Sequence, residues 1–181
     1  MRLERSIVLP CPPEEAWDVL TEWERQVDWM LDADGIIVRS EQRGGVGVRL
    51  DVKTRLFQIP AFTDPMEVTA WDPPRSLAIA HGGPVRGLGT WTLAPIDGGT
   101  RFTWIEDVEL RVPVVGELAA AVYAPVMRVL IGRAQRQLRR LIIATDLLGR
   151  GPRPEAGRAP AGPPRGRAMR CGSSDPRRPR P

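Results

Sequence analysis

Few side chains in this 181-residue chain could transfer a proton near neutral pH. The chain has one histidine, His81, and two cysteines, Cys11 and Cys171. A neutral imidazole, with a reference pKa of about 6.5, can exchange a proton at neutral pH. One histidine and two distant cysteines do not supply the ligands of a Cys/His zinc site, and a lone histidine does not establish a Ser/His/Asp triad. We therefore expect no metal site, and His81 is one candidate for acid–base chemistry.

His81 and Glu106 each alternate with large apolar residues along a predicted strand. His81 shares its face with Ile79, and Glu106 shares its face with Phe102 and Trp104, because alternate strand residues point the same way. If these apolar side chains face the interior, both polar groups face a cavity or its mouth. An apolar cavity raises the pKa of a carboxyl group, so the two residues could act as an acid–base pair.

Each candidate also has an interpretation without chemistry. His81 is followed by Gly82-Gly83-Pro84, so it could end a strand in water and bond to the loop. Tyr123 could offer its hydroxyl to a ligand, or it could be a core tyrosine bonded to the backbone. Other polar residues could reach the cavity mouth, but Pro60 and Pro65 leave their strand face undetermined. They are Arg55, Asp64 and Glu67.

The elements that position these residues follow from hydrophobic periodicity. A first strand is expected over Arg2–Leu9, and a helix starts at Pro12-Pro13-Glu14-Glu15, because proline followed by acids is typical of a first turn. A second short helix is expected over Glu22–Trp29. From Gly35 the period changes to two, and short connections between strands favour an antiparallel meander. The further strands are predicted at 36–38, 46–53, 66–71, 76–81, 90–95 and 101–110.

After Pro113 the pattern becomes helical to about Leu148. Pro125 lies inside this helix, so we expect a kink or break near Tyr123. Arginines occupy much of the remaining surface of the helix. The predicted apolar stripe consists of Leu118, Val122, Val126, Leu130, Ala134, Leu138, Leu141 and Thr145.

Charge divides the chain into a domain at residues 1–148 and a tail at residues 149–181. The tail has nine arginines, eight prolines and no Val, Ile, Leu, Phe, Tyr or Trp, whereas the domain carries a net charge of −3. Such a tail cannot bury enough apolar surface to fold, so we predict that it is disordered. The acidic domain argues against specific nucleic-acid binding. The tail could contact anionic surfaces weakly, or it could have no partner.

Residues 112–132 form the most apolar window, but Glu117 and Arg128 leave only ten uncharged residues between them. A bilayer span needs about 20. The N-terminus also lacks the apolar stretch of a signal peptide, so we expect a cytoplasmic protein. The start of the arginine-rich helix could rest on anionic lipid, or this segment could simply be buried against the sheet.

Four short segments together resemble a known family. They are Pro12–Leu20 with Trp29, Trp71–Arg75, Gly89–Leu93 and Gly98–Trp104. With them, residues 1–148 resemble the START-like (Bet v 1-like) superfamily, and within it the bacterial polyketide cyclase/dehydrase-type SRPBCC proteins. The resemblance implies an α+β helix-grip fold. In that fold a seven-stranded antiparallel curved sheet wraps around a long C-terminal helix, with two short helices after strand 1.

In that family a cavity between sheet and helix holds an apolar ligand. The resemblance implies a carrier or sensor of a lipid, polyketide or quinone-like molecule. The alternative is a cyclase/dehydrase-like enzyme that uses His81, Glu106 or Tyr123 for aldol cyclisation and dehydration of a polyketide. The residues expected to contact the ligand are Trp91, Leu93, Phe102, Trp104, His81, Tyr123 and Met127.

No cofactor is expected, because neither glycine-rich segment fits a nucleotide site. The segment Glu41–Gly47 lacks the Gly-Lys-Ser/Thr ending of a phosphate-binding loop. Gly87-Leu88-Gly89, interpreted as a loop, is not followed by a helix, which a dinucleotide site requires. The sequence leaves the oligomeric state open.

Overall fold

The computed structural model describes residues 1–56, 59–110 and 116–149. Within these ranges, the side chains of residues 56, 59, 110, 116–123, 148 and 149 are not described. The predicted disordered tail lies outside the described residues, apart from Gly149. Its disorder therefore stays a prediction.

The first strand and the two short helices lie where the sequence predicts them. Strand β1 spans Arg2–Leu9, helix α1 spans Pro13–Thr21, and a 3-10 helix, η1, spans Trp23–Asp28. Proline at the start of α1 and two acids in its first turn favour a helix N-terminus there. The helix packs its apolar face into the core through Ala16, Trp17 and Leu20.

Seven antiparallel strands form one sheet in the order β1-β7-β6-β5-β4-β3-β2. Each strand after β1 pairs with the next one along the chain, as expected of a meander, and β7 closes back onto β1. This confirms the predicted fold class, a curved antiparallel sheet with a long C-terminal helix. The remaining strands are β2 Ala33–Val38, β3 Arg49–Leu56, β4 Ile59–Asp72, β5 Ser76–Gly82, β6 Val85–Ile96 and β7 Gly99–Leu110.

Two strands, β4 and β6, extend well beyond their predicted ranges, and β3 is shifted toward the C-terminus. β4 runs through Pro60 and Pro65 because the part of β4 before Met66 pairs with β3 but not with β5. A proline is tolerated where one side of a strand needs no ladder bond. Residues 87–89, which we expected in a loop, lie inside β6. Gly87 is required there because a Cβ would lie 2.1 Å from the carbonyl oxygen of Asp107. Residues 46–48 precede β3 and were wrongly predicted as strand.

Helix α2 spans Gly116–Gly149 and continues through Pro125 without a break. It contacts β1 and β7. Its buried face contains Ile131, Ala134, Leu138 and Ile142, whereas Thr145 of the predicted stripe is exposed.

The predicted apolar stripe of α2 also missed two buried positions, Gly132 and Gln135. Both lie where the helix approaches β1 closely. The Gln135 side chain donates a hydrogen bond to the carbonyl oxygen of Arg5 over 3.0 Å. A Cβ at Gly132 would lie 2.9 Å from the guanidinium carbon of Arg5. A polar residue and a glycine therefore occupy buried positions that hydrophobic periodicity does not identify. No helix in the described part of the chain is long and apolar enough to cross a membrane.

Candidate functional site

A cavity of about 100 Å³ lies between the sheet and α2. Its wall is mostly apolar and is formed by residues from all seven strands, the η1 region and α2. A cavity of this size has room for a compact organic group. Apolar side chains on the wall include Leu3, Leu50, Val52, Ile79, Trp91 and Met127.

One end of the cavity is charged. His81 lies between two carboxylates there, with its Nδ1 2.7 Å from Oδ2 of Asp64 and its Nε2 3.4 Å from Oε2 of Glu106. The side chains of His81, Asp64 and Glu106 are only 12 %, 3 % and 9 % exposed. His81 therefore does not end its strand in water, and that alternative from the sequence is wrong. We call these three residues the charged triad.

The two carboxylates determine the charge of the imidazole. Burial alone lowers the pKa of His81, but hydrogen bonds to Asp64 and Glu106 and the charges of both groups outweigh it. The pKa of His81 rises from 6.5 to about 9 as a result. This pKa favours an imidazolium at neutral pH, with Nδ1 hydrogen-bonded to Asp64 and Nε2 in an ion-pair contact with Glu106.

The remaining oxygens of the triad are also hydrogen-bonded. Trp104 donates its indole N–H to Oε1 of Glu106 over 2.5 Å, and the backbone N–H of Gly83 donates to Oδ1 of Asp64 over 3.0 Å. Gly83 has no side chain at a point where a Cβ would lie 2.6 Å from that oxygen. Buried polar groups are stable when paired in this way. The triad is therefore satisfied without a ligand.

A further carboxyl group, that of Asp32, faces the same cavity. Burial raises the pKa of Asp32, and the negative charge of Glu106 raises it further, while a bond to its own backbone and the charge of Arg55 act in the opposite direction. Arg55 itself binds elsewhere, because its guanidinium lies 2.9 Å from the Asp34 carboxylate and also donates to the Leu31 carbonyl. Among the described residues, no side chain donates a hydrogen bond to Asp32.

The sequence left the position of Asp64 undecided and gave no signal for Asp32. The strand face of Asp64 was undetermined, and it faces the cavity because β4 continues past Pro65 and keeps Asp64 and Met66 on one face. Asp32 follows η1 in an irregular segment, where no periodicity predicts a direction. Glu67 is exposed on the opposite face of β4.

The residues predicted to contact a ligand separate into two groups. His81, Trp91, Trp104 and Met127 line the cavity. Leu93 and Phe102 lie in the core instead and are 4 % and 0 % exposed. They pair with each other two positions nearer the β6–β7 turn than Trp91 and Trp104. Tyr123 is part of α2, but its side chain lies outside the described residues.

Tryptophan rings separate the cavity from the core. The Trp91 and Trp104 rings lie 5.4 Å apart at an angle of 69°. Trp29, which is fully buried, packs 5.9 Å from Trp91 and 6.0 Å from Trp104. Edge-to-face arrangements of this kind stabilise aromatic clusters. Trp91 and Trp104 therefore give the cavity an aromatic wall, and its lining also includes methionine side chains such as Met127.

The described side chains contain no group of three His, Cys, Asp or Glu residues arranged to hold a metal ion. The charged triad instead contains a proton donor, His81, within reach of two proton acceptors. It can hold a polar ligand atom at the end of an apolar cavity, or exchange a proton with one if a ligand displaces an existing bond.

Residues 1–142 match the family described as polyketide cyclase / dehydrase and lipid transport. A comparison of the sequence with curated proteins found no match. Among solved structures, the protein TTHA0849 from Thermus thermophilus is 19% identical, with a TM-score of 0.69, over 80% of this chain and 99% of that chain.

Two further structures share the fold. The di-domain ARO/CYC StfQ from the steffimycin biosynthetic pathway has a TM-score of 0.66 at 13% identity, over 80% of this chain and 51% of that chain. Ara h 8.0201 has a TM-score of 0.58 at 14% identity, over 80% of this chain and 98% of that chain. At these identities the likeness concerns the fold alone.

Proposed function

Because the chain belongs to the polyketide cyclase / dehydrase and lipid transport family, we propose that its cavity binds an apolar small molecule and that the protein acts as a carrier or sensor. The ligand is lipid-like, polyketide-like or quinone-like. The observation that carries this proposal is a mostly apolar cavity closed at one end by a hydrogen-bonded charged triad. Such a cavity provides burial for an apolar body and orientation for one polar atom.

The hydrogen bonds of the triad favour binding over catalysis. Each ring nitrogen of His81 faces one oxygen of a carboxylate. The other oxygen of each carboxylate accepts a hydrogen bond, from Gly83 for Asp64 and from Trp104 for Glu106. A general base needs a lone pair directed at the substrate, and a general acid needs a proton directed there. In the unliganded protein these groups are directed at one another, so the triad acts first as a structural end wall.

A calorimetric titration with hexanol tests the proposal, together with native mass spectrometry of freshly purified protein for a co-purified ligand. The variant Met127→Trp places a larger side chain on the cavity wall. Its matched control is Val129→Trp, at a position on the same helix that is 50 % exposed. We expect Met127→Trp to weaken hexanol binding at least about tenfold, because the cavity volume is filled, and Val129→Trp to bind like the unaltered protein.

Equal hexanol binding by Met127→Trp and the unaltered protein would show that the ligand sits elsewhere. Absence of binding to the unaltered protein, combined with no co-purified molecule, would contradict the carrier proposal itself.

The 3.4 Å contact between His81 and Glu106 supports a second candidate, a cyclase/dehydrase-like enzyme. A carbonyl oxygen placed between them would receive the proton of His81, while Glu106 would take a proton from the adjacent carbon. The enol formed in this way would attack a second carbonyl carbon of the polyketide, forming the new C–C bond, while the enol hydroxyl returns its proton to His81 and the second carbonyl oxygen takes the proton from Glu106. Glu106 would then remove a proton from the carbon beside the new alcohol while His81 protonates the departing hydroxyl, so that water is lost. A proton passing from Glu106 back to His81 would restore both groups. Turnover of a poly-β-ketone that falls at least about a hundredfold in His81→Gln and in Glu106→Gln would favour this candidate. No turnover by the unaltered protein would contradict it.

A further inference from the structure

We propose that the cavity selects apolar molecules that carry a protonated amine, in preference to apolar alcohols and carboxylates. The inference rests on the proposed function of ligand binding and names the class of ligand. It follows from an imbalance of charge among the residues that line the cavity. Three of them carry carboxyl groups, Asp32, Asp64 and Glu106, and the charge of Glu106 acts on Asp32.

Two of the residues that line the cavity carry a cationic group, and both groups already have partners. The His81 ring directs one nitrogen at Asp64 and the other at Glu106. The amino group of Met1, which also lines the cavity, donates to the Val108 carbonyl oxygen over 2.8 Å. If every group is ionised, the carboxylates exceed the cations by one.

Asp32 is the carboxyl group left without a side-chain partner. Among the described residues no side chain donates to it, and Arg55, the nearest cationic influence on Asp32, is held by Asp34 and by the Leu31 carbonyl. Burial and the charge of Glu106 both disfavour ionised Asp32, which is why its pKa is raised. A ligand ammonium beside Asp32 would remove that cost and gain a charge-assisted hydrogen bond. A ligand carboxylate would add to the cost.

The apolar wall suits the same ligand. Trp91 and Trp104 line the cavity beside the charged end, where the indole N–H of Trp104 binds Glu106, and they provide aromatic surface next to the alkyl part of a ligand. Ile79, Val52 and Met127 would surround the alkyl part. Cation attraction and apolar burial thus act on two ends of one small molecule.

Three probes of equal chain length separate these contributions: hexylamine, hexanol and hexanoate. We would measure their dissociation constants by calorimetry at pH 7 on the full chain. We expect hexylamine to bind at least about tenfold more tightly than hexanol, since a charge-assisted hydrogen bond is stronger than a neutral one. Hexanoate should bind more weakly than hexanol.

The variant Asp32→Asn keeps the shape of the side chain and removes its charge. We expect it to weaken hexylamine binding about tenfold and to leave hexanol binding within about twofold. The matched control is Asp28→Asn, an exposed carboxylate near the end of η1 that pairs with Arg25 at 3.3 Å. This control should change neither constant.

If hexanol binds as tightly as hexylamine, or if hexanoate binds more tightly than hexylamine, the preference for an amine is contradicted. The proposed binding of an apolar molecule would still stand. Failure of all three probes to bind would overturn both. The comparison of probes on the unaltered protein decides the inference even if Asp32→Asn fails to fold.

Discussion

The two ends of the β6–β7 strand pair differ in how the space above the sheet is filled. Near the turn, Leu93 pairs with Phe102, and both are buried in the core. Four positions away, Gly89 pairs with Glu106, and both line the cavity. We call these the filled end and the cavity end. Trp91 and Trp104, which pair between them, form the boundary.

The difference arises from side-chain volume and charge. At the filled end α1 contacts β6 and β7 and covers them with apolar side chains. At the cavity end, Gly89 contributes no side chain, and a Cβ there would lie 3.1 Å from Oε1 of Glu106. Glu106 and His81 bind each other and cannot pack as hydrocarbon. The cavity is therefore kept open by Gly89, which adds no side chain, and by Glu106 and His81, which pair with each other.

The largest expected effect is loss of packing at the filled end. Phe102→Ala should lower the free energy of unfolding by about 3–5 kcal/mol, because it leaves a hole in a fully buried region. Met127→Ala at the cavity end should cost less, since Met127 is only half-buried beside existing space. Urea denaturation of both variants tests this, and equal losses would show that the two ends are packed alike.

The next effect is a pH dependence that only the cavity end produces. The pKa of His81 is raised to about 9 in the folded protein, against 6.5 for the free side chain. Stability from the imidazolium is therefore fully present below pH 6.5 and is lost as the pH rises through 9. This loss should approach about 3 kcal/mol.

Urea denaturation between pH 6.5 and 9 measures this loss, and subtraction of the profile of His81→Gln isolates the contribution of the imidazole. An unchanged stability difference between the two proteins across this range would show that the triad does not hold a proton.

Gly89→Ala should have a smaller effect, at the cavity end alone. The added methyl group would crowd Glu106 at 3.1 Å and Nε2 of His81 at 3.4 Å, so we expect a loss of about 1–3 kcal/mol and weaker ligand binding. The control Gly35→Ala places its Cβ 3.8 Å from the Lys53 side chain, an ordinary contact. Thermal melts and hexanol titrations compare the two. If Gly89→Ala binds hexanol as tightly as the unaltered protein, the ligand does not occupy the space beside Gly89.

Asp32→Asn should have a smaller effect of opposite sign. Because the folded-state pKa of Asp32 is raised, its ionisation destabilises the fold as the pH rises above the unfolded-state pKa. The amide should therefore raise the melting temperature slightly at pH 7, and this gain should disappear near pH 3. A lower melting temperature at pH 7 would indicate that Asp32 has a stabilising partner.

Removal of the tail after Gly149 should have the smallest effect. Residues 150–181 contain no large aliphatic or aromatic side chain, so they lack groups that could pack on the domain. We expect the melting temperature and hexanol affinity to stay unchanged. Any binding of the full chain to anionic vesicles should weaken steeply with salt. A clear drop in melting temperature on truncation would show that the tail docks.

Sequence reasoning identified the elements well and the site in part. Alternation placed His81 and Glu106 on interior faces of β5 and β7, because regular strands keep their parity. Alternation did not predict that Trp104 lines the cavity while Phe102 lies in the core, since both residues share one face of β7. Their surroundings differ through packing by α1. Asp64 and Asp32 escaped because prolines and an irregular segment interrupt the period. The pairing of three polar groups into a triad depends on strand register, which the sequence does not specify.

The signal of the one histidine provides the most direct test of ligand binding at the cavity end. Because His81 is the single histidine of the chain, its ring protons give one set of NMR resonances, which we would follow during addition of hexylamine. If the ligand binds at the cavity end, hexylamine should shift these resonances saturably in the unaltered protein and in Val129→Trp, and the shift should be lost in Met127→Trp. Resonances that do not move while hexylamine binds by calorimetry, or that move equally in Met127→Trp, would contradict binding there.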